Sequence, residues 1–307
     1  MSKLLDEVLL KKIAGINLSN LKGAYNVRKD GQKLVRNTTN NIDIKTKEDK
    51  DGIDIIVKEN TKNETVYIPV ILTKQGLNDK VYNDFYIGKN AYVTIVAGCG
   101  IHSCGNHDSE HDGIHTFYLE EGAKVKYVEK HYGEGDGNGK RILNPETIVN
   151  LEKGSTLEME TVQIKGVDST IRITKGNLKE DTNFIVSEKI MTHGNQYAKT
   201  VFDVNLNGKN SSTKVTSRSI AKDNSKQEFV SNLKGNDKCF GHVECDAIIM
   251  DNAVIKAIPE IEARNIEANL IHEAAIGKIA GEQLIKLMSL GLTEKQAEKE
   301  IINGFLK

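Results

Sequence analysis

"IGKNAYVTI" (Ile87–Ile95), "LEEGAKVKY" (Leu119–Tyr127) and "LEKGSTLEM" (Leu151–Met159) align without gaps at one offset of 32 residues, 119 − 87 and 151 − 119. Each opens on an apolar residue, passes two variable positions to Gly or Asn, then Ala or Ser, and ends in alternating apolar residues. That order reads as a tight turn opening a strand whose every second side chain is buried. "IMDNAVIKA" from Ile249 repeats it, and "LNGKNSSTKV" is a looser version. A turn-and-strand unit recurring without long helices between copies predicts strands stacked as rungs of a β-solenoid, each rung burying its apolar face on its neighbours. An antiparallel β-sandwich also has short strands and regular turns, but its strands need not recur at a fixed offset.

The rest of the chain is bounded by composition. It has 307 residues with 38% apolar, enough for a large core. Lys and Arg number 42 against 43 acids, so no electrostatic footprint for nucleic acid or an anionic membrane is expected. The start "MSKLLDEVLLKKIAG" places Leu4, Leu5, Val8, Leu9 and Ile13 on one helical face, while Asp6 and Glu7 interrupt any signal-peptide core. No apolar run approaches the ~20 residues of a membrane span. A cytoplasmic protein is expected, and its four cysteines are too few for a disulfide framework. From about Glu262 the pattern turns helical: "HEAAIGKIAGEQLIKLMSLG" carries Ala275, Ile276, Ile279, Leu284, Leu287 and Met288 at helical spacing, and Gly291 suits a stop. Thr293 and Gln296 then form a capping box for a second helix. Such helices either cover the exposed edge of the last rung or dock a partner through Leu284, Leu287 and Met288.

Two motifs fail on inspection. "GEGDGNGKR" (Gly133–Arg141) lacks the phosphate-loop spacing and the hydroxyl after its lysine, so it reads as a loop. His111 and His115 are four apart, but "HDGIH" lacks the zincin glutamate and contains a helix-weakening glycine.

Two constellations remain. "CGIHSCGNHDSEHDGIH" (Cys99–His115) is read as a long inter-rung loop between a strand ending near Val96 and one starting near Phe117. Cys99, His102, Cys104 and His107 are spaced to converge on one zinc or iron ion, with His111 and His115 nearby; solvated, turn-capping histidines are the plainer alternative. The second is "KCFGHVECD" with "NLIHEAAIG": Cys239, His242, Glu244, Cys245 and Asp246, then His272 and Glu273. Cys245 is expected on the last rung and His272 with Glu273 at the opening of a helical cap, so a thiolate, an imidazole and a carboxylate would meet at one edge. A neighbouring imidazolium favours the thiolate, the form that binds metal and attacks sulfur. A buried Cys245 with a merely capping His-Glu pair is the alternative.

At these residues the chain resembles the C-terminal core of the SufB/SufD proteins of the SUF iron-sulfur cluster assembly system. The resemblance rests on "GHVECDAIIMDNAVIKAIPEIEARNIEANLIHEAAIGKIAGEQLIKLMSLGLTEKQAEKEIINGF", with its C-D, D-N-A, P-x-I-E-x-R-N, H-E-A and S-x-G-L motifs. It implies a mainly β fold, a right-handed parallel β-helix with helical segments at both ends. Residues 1–50 would be an N-terminal helical or extended segment, 51–260 the β-helix core, and 261–307 a helical segment docking a SufC-type ABC ATPase through Leu284, Leu287 and Met288. It further implies that Cys245 holds a nascent, transient iron-sulfur cluster, with Glu273 from H-E-A and His272 matching a histidine retained in SufD. One chain carries all three, so a homodimer would build the site from paired edges.

The implied protein is a scaffold and not itself an enzyme, since ATP hydrolysis belongs to the partner. It takes sulfur from a cysteine desulfurase or sulfide and passes clusters to acceptor proteins. The chain is shorter at its N-terminus than the long family members, and their N-terminal sulfur-receiving cysteine has no clear match here. Two rival functions are a zinc-dependent hydrolase centred on the Cys99–His115 stretch, with Asp108 or Glu110 as base, and a carbohydrate-binding or lyase solenoid.

Overall fold

The computed structural model describes residues 2–279 and 281–306. Helix α1 (Ser2–Ala14) is followed by β1 (Ala24–Lys29), β2 (Gln32–Asn37), β3 (Ile42–Thr46), β4 (Gly52–Val57), β5 (Lys62–Leu72), β6 (Asn78–Ile87), β7 (Tyr92–His102), β8 (Ser109–Leu119), β9 (Lys124–Glu134) and β10 (Arg141–Leu143). Then come β11 (Glu146–Leu151), β12 (Thr156–Lys165), β13 (Ser169–Leu178), β14 (Asn183–Thr192), β15 (Tyr197–Leu206), β16 (Ser211–Ala221), β17 (Lys226–Gly235), β18 (Cys239–Ile249), β19 (Val254–Ala263) and β20 (Asn269–Gly277). Helices α2 (Gly281–Ser289) and α3 (Glu294–Phe305) close the chain.

From β4 onward successive strands alternate between two sheets, β10 and β11 sharing one; the sheets are ordered β2-β1-β5-β7-β9-β12-β14-β16-β18-β20 and β19-β17-β15-β13-β10-β8-β6-β4-β3, with β11 also joining β13 to β8. Apart from the antiparallel pairs β1–β2 and β3–β4, the pairing is parallel, which makes the body a parallel β-solenoid. The three repeats lie one above another: Ile87 pairs Leu119, and Leu119 pairs Leu151. Residues with φ near +55 to +70° sit in the turns, seven of them being Asn90, Gly122, Gly154, Asp181, Asn210, Asp223 and Asp251. Gly, Asn and Asp tolerate that left-handed backbone, which is why the repeat demands them there. The residue that re-enters the interior after the turn is small and fully buried in Ala91, Ala123 and Ser155. Inside, aromatic and aliphatic side chains stack rung on rung, as in Phe85 on Phe117 with centroids 4.4 Å apart.

The two ends differ in part from the sequence reading. On α1 the buried residues are Leu9, Leu10 and Ile13, packed with Val27 and Ile71, whereas Leu4 and Val8 are exposed. The helical reading from Glu262 is corrected: β19 runs to Ala263, and residues 269–277, including His272, Glu273, Ala275 and Ile276, form strand β20. Small and β-branched residues at helical spacing also fit a strand, and here the pairing with β18 decides. Beyond β20 the described residues form only α2 and α3; α3 has the expected Thr293–Gln296 capping box, and Gly291 (φ 97°) follows α2.

Candidate functional site

Alternation along β18 sorts its side chains. Val243, Cys245 and Ala247 face inward and are buried; His242, Glu244 and Asp246 take the outer face. In the parallel register, Val243 lies opposite His272, Glu244 opposite Glu273 and Cys245 opposite Ala274. His272 is therefore inward, diagonal to Cys245. Its Nδ1 lies 3.0 Å from Ser231 Oγ, and its Nε2 is buried without a hydrogen-bond partner. Glu273 stands on the outer face, with its Oε2 3.2 Å from His242 Nε2. Thiol and imidazole thus share the interior while the carboxylate lies across the sheet. The expectation of one cap presenting all three to one edge is corrected: His272 and Glu273 are neighbours on a strand, and neighbours on a strand point to opposite faces.

Cys245 is 1% exposed. Burial, reinforced by the negative charges of Glu188 and Asp246, pushes its thiol up to about 12, so at rest it holds its proton. Cys239, at the start of β18, is also buried with a raised thiol pKa, again chiefly through burial. Above Cys245 lies only the terminal rung. β19 and β20 end their sheets, and their inward-facing Ile261 and Ile276 are 44% and 41% exposed, so the apolar interior is open at this end.

A buried polar seam starts at the far side of the molecule. His111 and His115 are not in a loop. They sit at inward positions of β8, because the inter-rung connection is only Ser103–Asp108. His111 Nδ1 donates to Asp79 Oδ2 (2.9 Å), and the other oxygen of that carboxylate, Oδ1, accepts from Arg28 (3.0 Å). Cys99 faces inward on β7, where the charges of His111 and His131 bear on its thiol. His115 Nδ1 donates to Tyr127 Oη (2.7 Å), and Tyr127 donates to Glu129 (2.9 Å). Glu129 is paired with Arg172, whose Nε lies 3.6 Å from Glu188; Glu188 accepts from Ser217 (2.9 Å). Ser217 is the in-register neighbour of Cys245. A line of buried polar side chains therefore connects the rungs of the two cysteines.

The charges in this seam set its pH response. Burial alone would raise the Cys99 thiol, but the His111 charge and hydrogen bonds from His111 and His131 bring it down to about 7. Burial opposes a charge on His111, yet Cys99 and Asp79 raise it to about 10. Burial pushes His115 down to about 4. A depressed imidazole costs stability as pH falls from its ordinary 6.5 through 4, and a raised one loses its contribution as pH rises through 10. Between 7 and 9 the opposite slopes of Cys99 and His111 offset one another. Denaturant midpoints should therefore fall below about pH 6.5 and above about pH 9. His115→Gln should flatten the acid arm. In ultraviolet titration the Cys99 thiolate should form near pH 7 and shift upward in His111→Gln.

The expected metal loop does not form. His102 ends β7 with Nδ1 3.7 Å from Glu134, Cys104 and His107 are exposed in the connection, and Cys99 points inside. Among the described residues no group of three or more His, Cys, Asp or Glu is disposed to hold a metal ion. Convergence of Cys99, His102, Cys104 and His107 is thus corrected, and the zinc-hydrolase alternative built on His111 and His115 has no support: both rings are enclosed in the core and engaged there. The sequence reading missed Asp79, Glu129, His131, Arg172 and Glu188. The signal available was parity, since Val125, Tyr127, Glu129 and His131 share one face of one strand.

Fold and site define a parallel β-solenoid with a buried thiol and an imidazole beneath its open terminal rung. Residues 81–305 match the model of the SUF system FeS cluster assembly SufBD core domain, and the chain belongs to that family. It is 25% identical to the iron-sulfur cluster assembly SufBD family protein of Methanocaldococcus jannaschii over 98% of each chain. A family protein of Methanothermobacter thermautotrophicus (strain Winter) is 30% identical over 76% of this chain, which spans 56% of that protein's length. SufB of Bacillus subtilis is 36% identical over 102 residues, 32% of this chain and 22% of SufB. No helix among the described residues is long and apolar enough to cross a membrane.

Proposed function

We propose that this chain is a scaffold for iron-sulfur cluster assembly, holding a nascent cluster at the paired terminal rungs of a homodimer. The observation that carries the reading is the placement of Cys245 and His272 on one inner face under a strand that has no further partner, beside the exposed Ile261 and Ile276. The orphaned His272 Nε2 is a free donor atom for iron, and Glu273 with His242 supplies oxygen and nitrogen at the outer rim. Sparse, mixed ligation suits a scaffold that must release its cargo. Because Cys245 rests buried and protonated, loading requires the terminal rung to open. A SufC-type ABC ATPase docking on α2, where Ile285 and Met288 are exposed and Leu284 and Leu287 half-buried, would supply that work. Hydrolysis then belongs to the partner and not to this cytoplasmic chain. Cys99 is the second thiol of the reading: its imidazole neighbours suit it to accept sulfur from a cysteine desulfurase or other persulfide donor.

The test is expression with the ATPase in the absence of oxygen, followed by iron and acid-labile sulfide analysis of the purified complex. Wild type should carry both, and Cys245→Ser should lose them while still co-purifying with the ATPase. A normal cluster in Cys245→Ser would move the site to Cys99 and its neighbours.

A further inference from the structure

β12 carries a bulge where it pairs with β9: Gln163 lies opposite His131, and Lys165, not Ile164, lies opposite Tyr132. Strict alternation would turn Lys165 inward with Leu157, Met159, Thr161 and Gln163; the extra residue re-aims it to the outer face, beside Tyr132. Its Nζ lies 6.0 Å from the centroid of the Tyr132 ring, and the Nζ of Lys12 on α1 lies 4.3 Å from the same centroid. Two ammonium groups therefore share one ring. Only glycine allows the strand ends to pass here: a Cβ on Gly133 would lie 2.0 Å from the Gly166 carbonyl oxygen, and one on Gly166 (φ 76°) 1.9 Å from that of Gly133.

These residues border a cleft of about 780 Å³, one wall of which is the glycine-rich segment Gly133–Arg141. Four cations line it, Lys12, Lys140, Arg141 and Lys165, against the carboxylates Glu134 and Asp168. Both acids are already engaged: Glu134 accepts from Lys12 and from Tyr132, and Asp168 accepts two hydrogen bonds from the Arg141 guanidinium. Lys140 and Lys165 are exposed and have no acidic partner among the described residues. With His193 neutral, the cleft holds an excess of two positive charges in a chain whose net charge is −1. We propose that this cleft binds a phosphate monoester, with Lys165 and Lys140 donating to its phosphoryl oxygens and its organic part lying against the glycine wall. A monoester carries about two negative charges at pH 7, which matches the excess, whereas a single carboxylate carries one. The volume lies in the range of small-molecule sites, about 300–1,000 Å³, so there is room for more than the phosphoryl group. β14, β16 and β18 separate β12 from the terminal strand β20, and the inference does not rest on the cluster site proposed there.

The test is equilibrium dialysis of the full chain against phenyl phosphate at fixed ionic strength. Wild type should bind it saturably; inorganic phosphate should compete, and singly charged phenylacetate should not. Lys165→Gln should bind about tenfold more weakly, the size of one lost charged hydrogen bond. Lys140→Gln should weaken binding likewise and serves if the first variant does not fold. Lys33→Gln removes an exposed charge on β2, outside the cleft, and should bind as wild type does. No saturable binding in wild type would overturn the proposal, as would undiminished binding in a folded Lys165→Gln or Lys140→Gln. An equal loss in Lys33→Gln would overturn it as well, since net charge alone would then account for the binding. Competition by phenylacetate, or its absence with inorganic phosphate, would show that the phosphoryl group is not what the cleft recognises and would equally overturn it.

Discussion

Replacing Arg172 by methionine should lower the free energy of unfolding by about 3–5 kcal/mol, the cost of leaving a buried charge without its partner. Arg172 is the largest fully buried side chain in the molecule's described core. It is paired with Glu129 and faces Glu188, both also inside. Burial opposes the charge on Glu129, and His131 and Arg172 overcome it, holding this carboxyl well below the ordinary range. For Glu188, burial prevails over Arg172 and the pKa rises. Removing the guanidinium therefore strands Glu129 more than Glu188. The double variant Arg172→Met with Glu129→Gln should recover much of the loss, because replacing both members of a buried pair by neutral groups can approach neutrality. Chemical denaturation midpoints, compared at pH 7 in a two-by-two cycle, check this. Additive losses in the double variant would show that packing, not charge pairing, is what Arg172 contributes.

Placing aspartate at both Ile261 and Ile276 should make the protein monomeric. These side chains sit at inward positions of the last rung, where in every earlier rung such residues are covered by the next one. A second copy stacked on this end would cover them; about two fifths of each remains exposed, so covering it contributes about 0.6–1.3 kcal/mol per side chain. With both lost on each of the two copies the sum is about 2.5–5 kcal/mol, or about two to four decades in Kd. Light scattering across a dilution series would show it, and cluster content should fall with dimer content even though Cys245 is untouched. An unchanged dimer would put the interface elsewhere.

The fold was legible because one local rule recurs: a left-handed turn residue, a small residue after it, then period-two burial. Asn90, Gly122 and Gly154 obey it in full view. Strand against helix at the C-terminus was not legible, since Ala274, Ala275 and Ile276 satisfy both periods and only the hydrogen-bonded register with β18 distinguishes them. The nearness of Cys245 to His272 was within reach, but the face of Glu273 was hidden by the same misreading. Two histidines of the Cys99–His115 stretch, His111 and His115, were misplaced because polar residues ordinarily mark surface. Here these two lie inward, tolerated because Asp79 and Tyr127 hydrogen-bond them and Glu129, paired with Arg172, accepts from Tyr127 in turn. Asp79 and Arg172 lie 32 and 61 residues from His111 (111 − 79 and 172 − 111), and only the stacking of rungs brings them together.

Diffraction at the iron absorption edge from oxygen-free crystals of the loaded complex tests the assembly site most directly. Anomalous density should lie at the junction of two terminal rungs, bonded to Cys245 and near His272 of each copy. Iron found instead within the solenoid beside Cys99, or bound on the Ser103–Asp108 connection, would contradict that assignment.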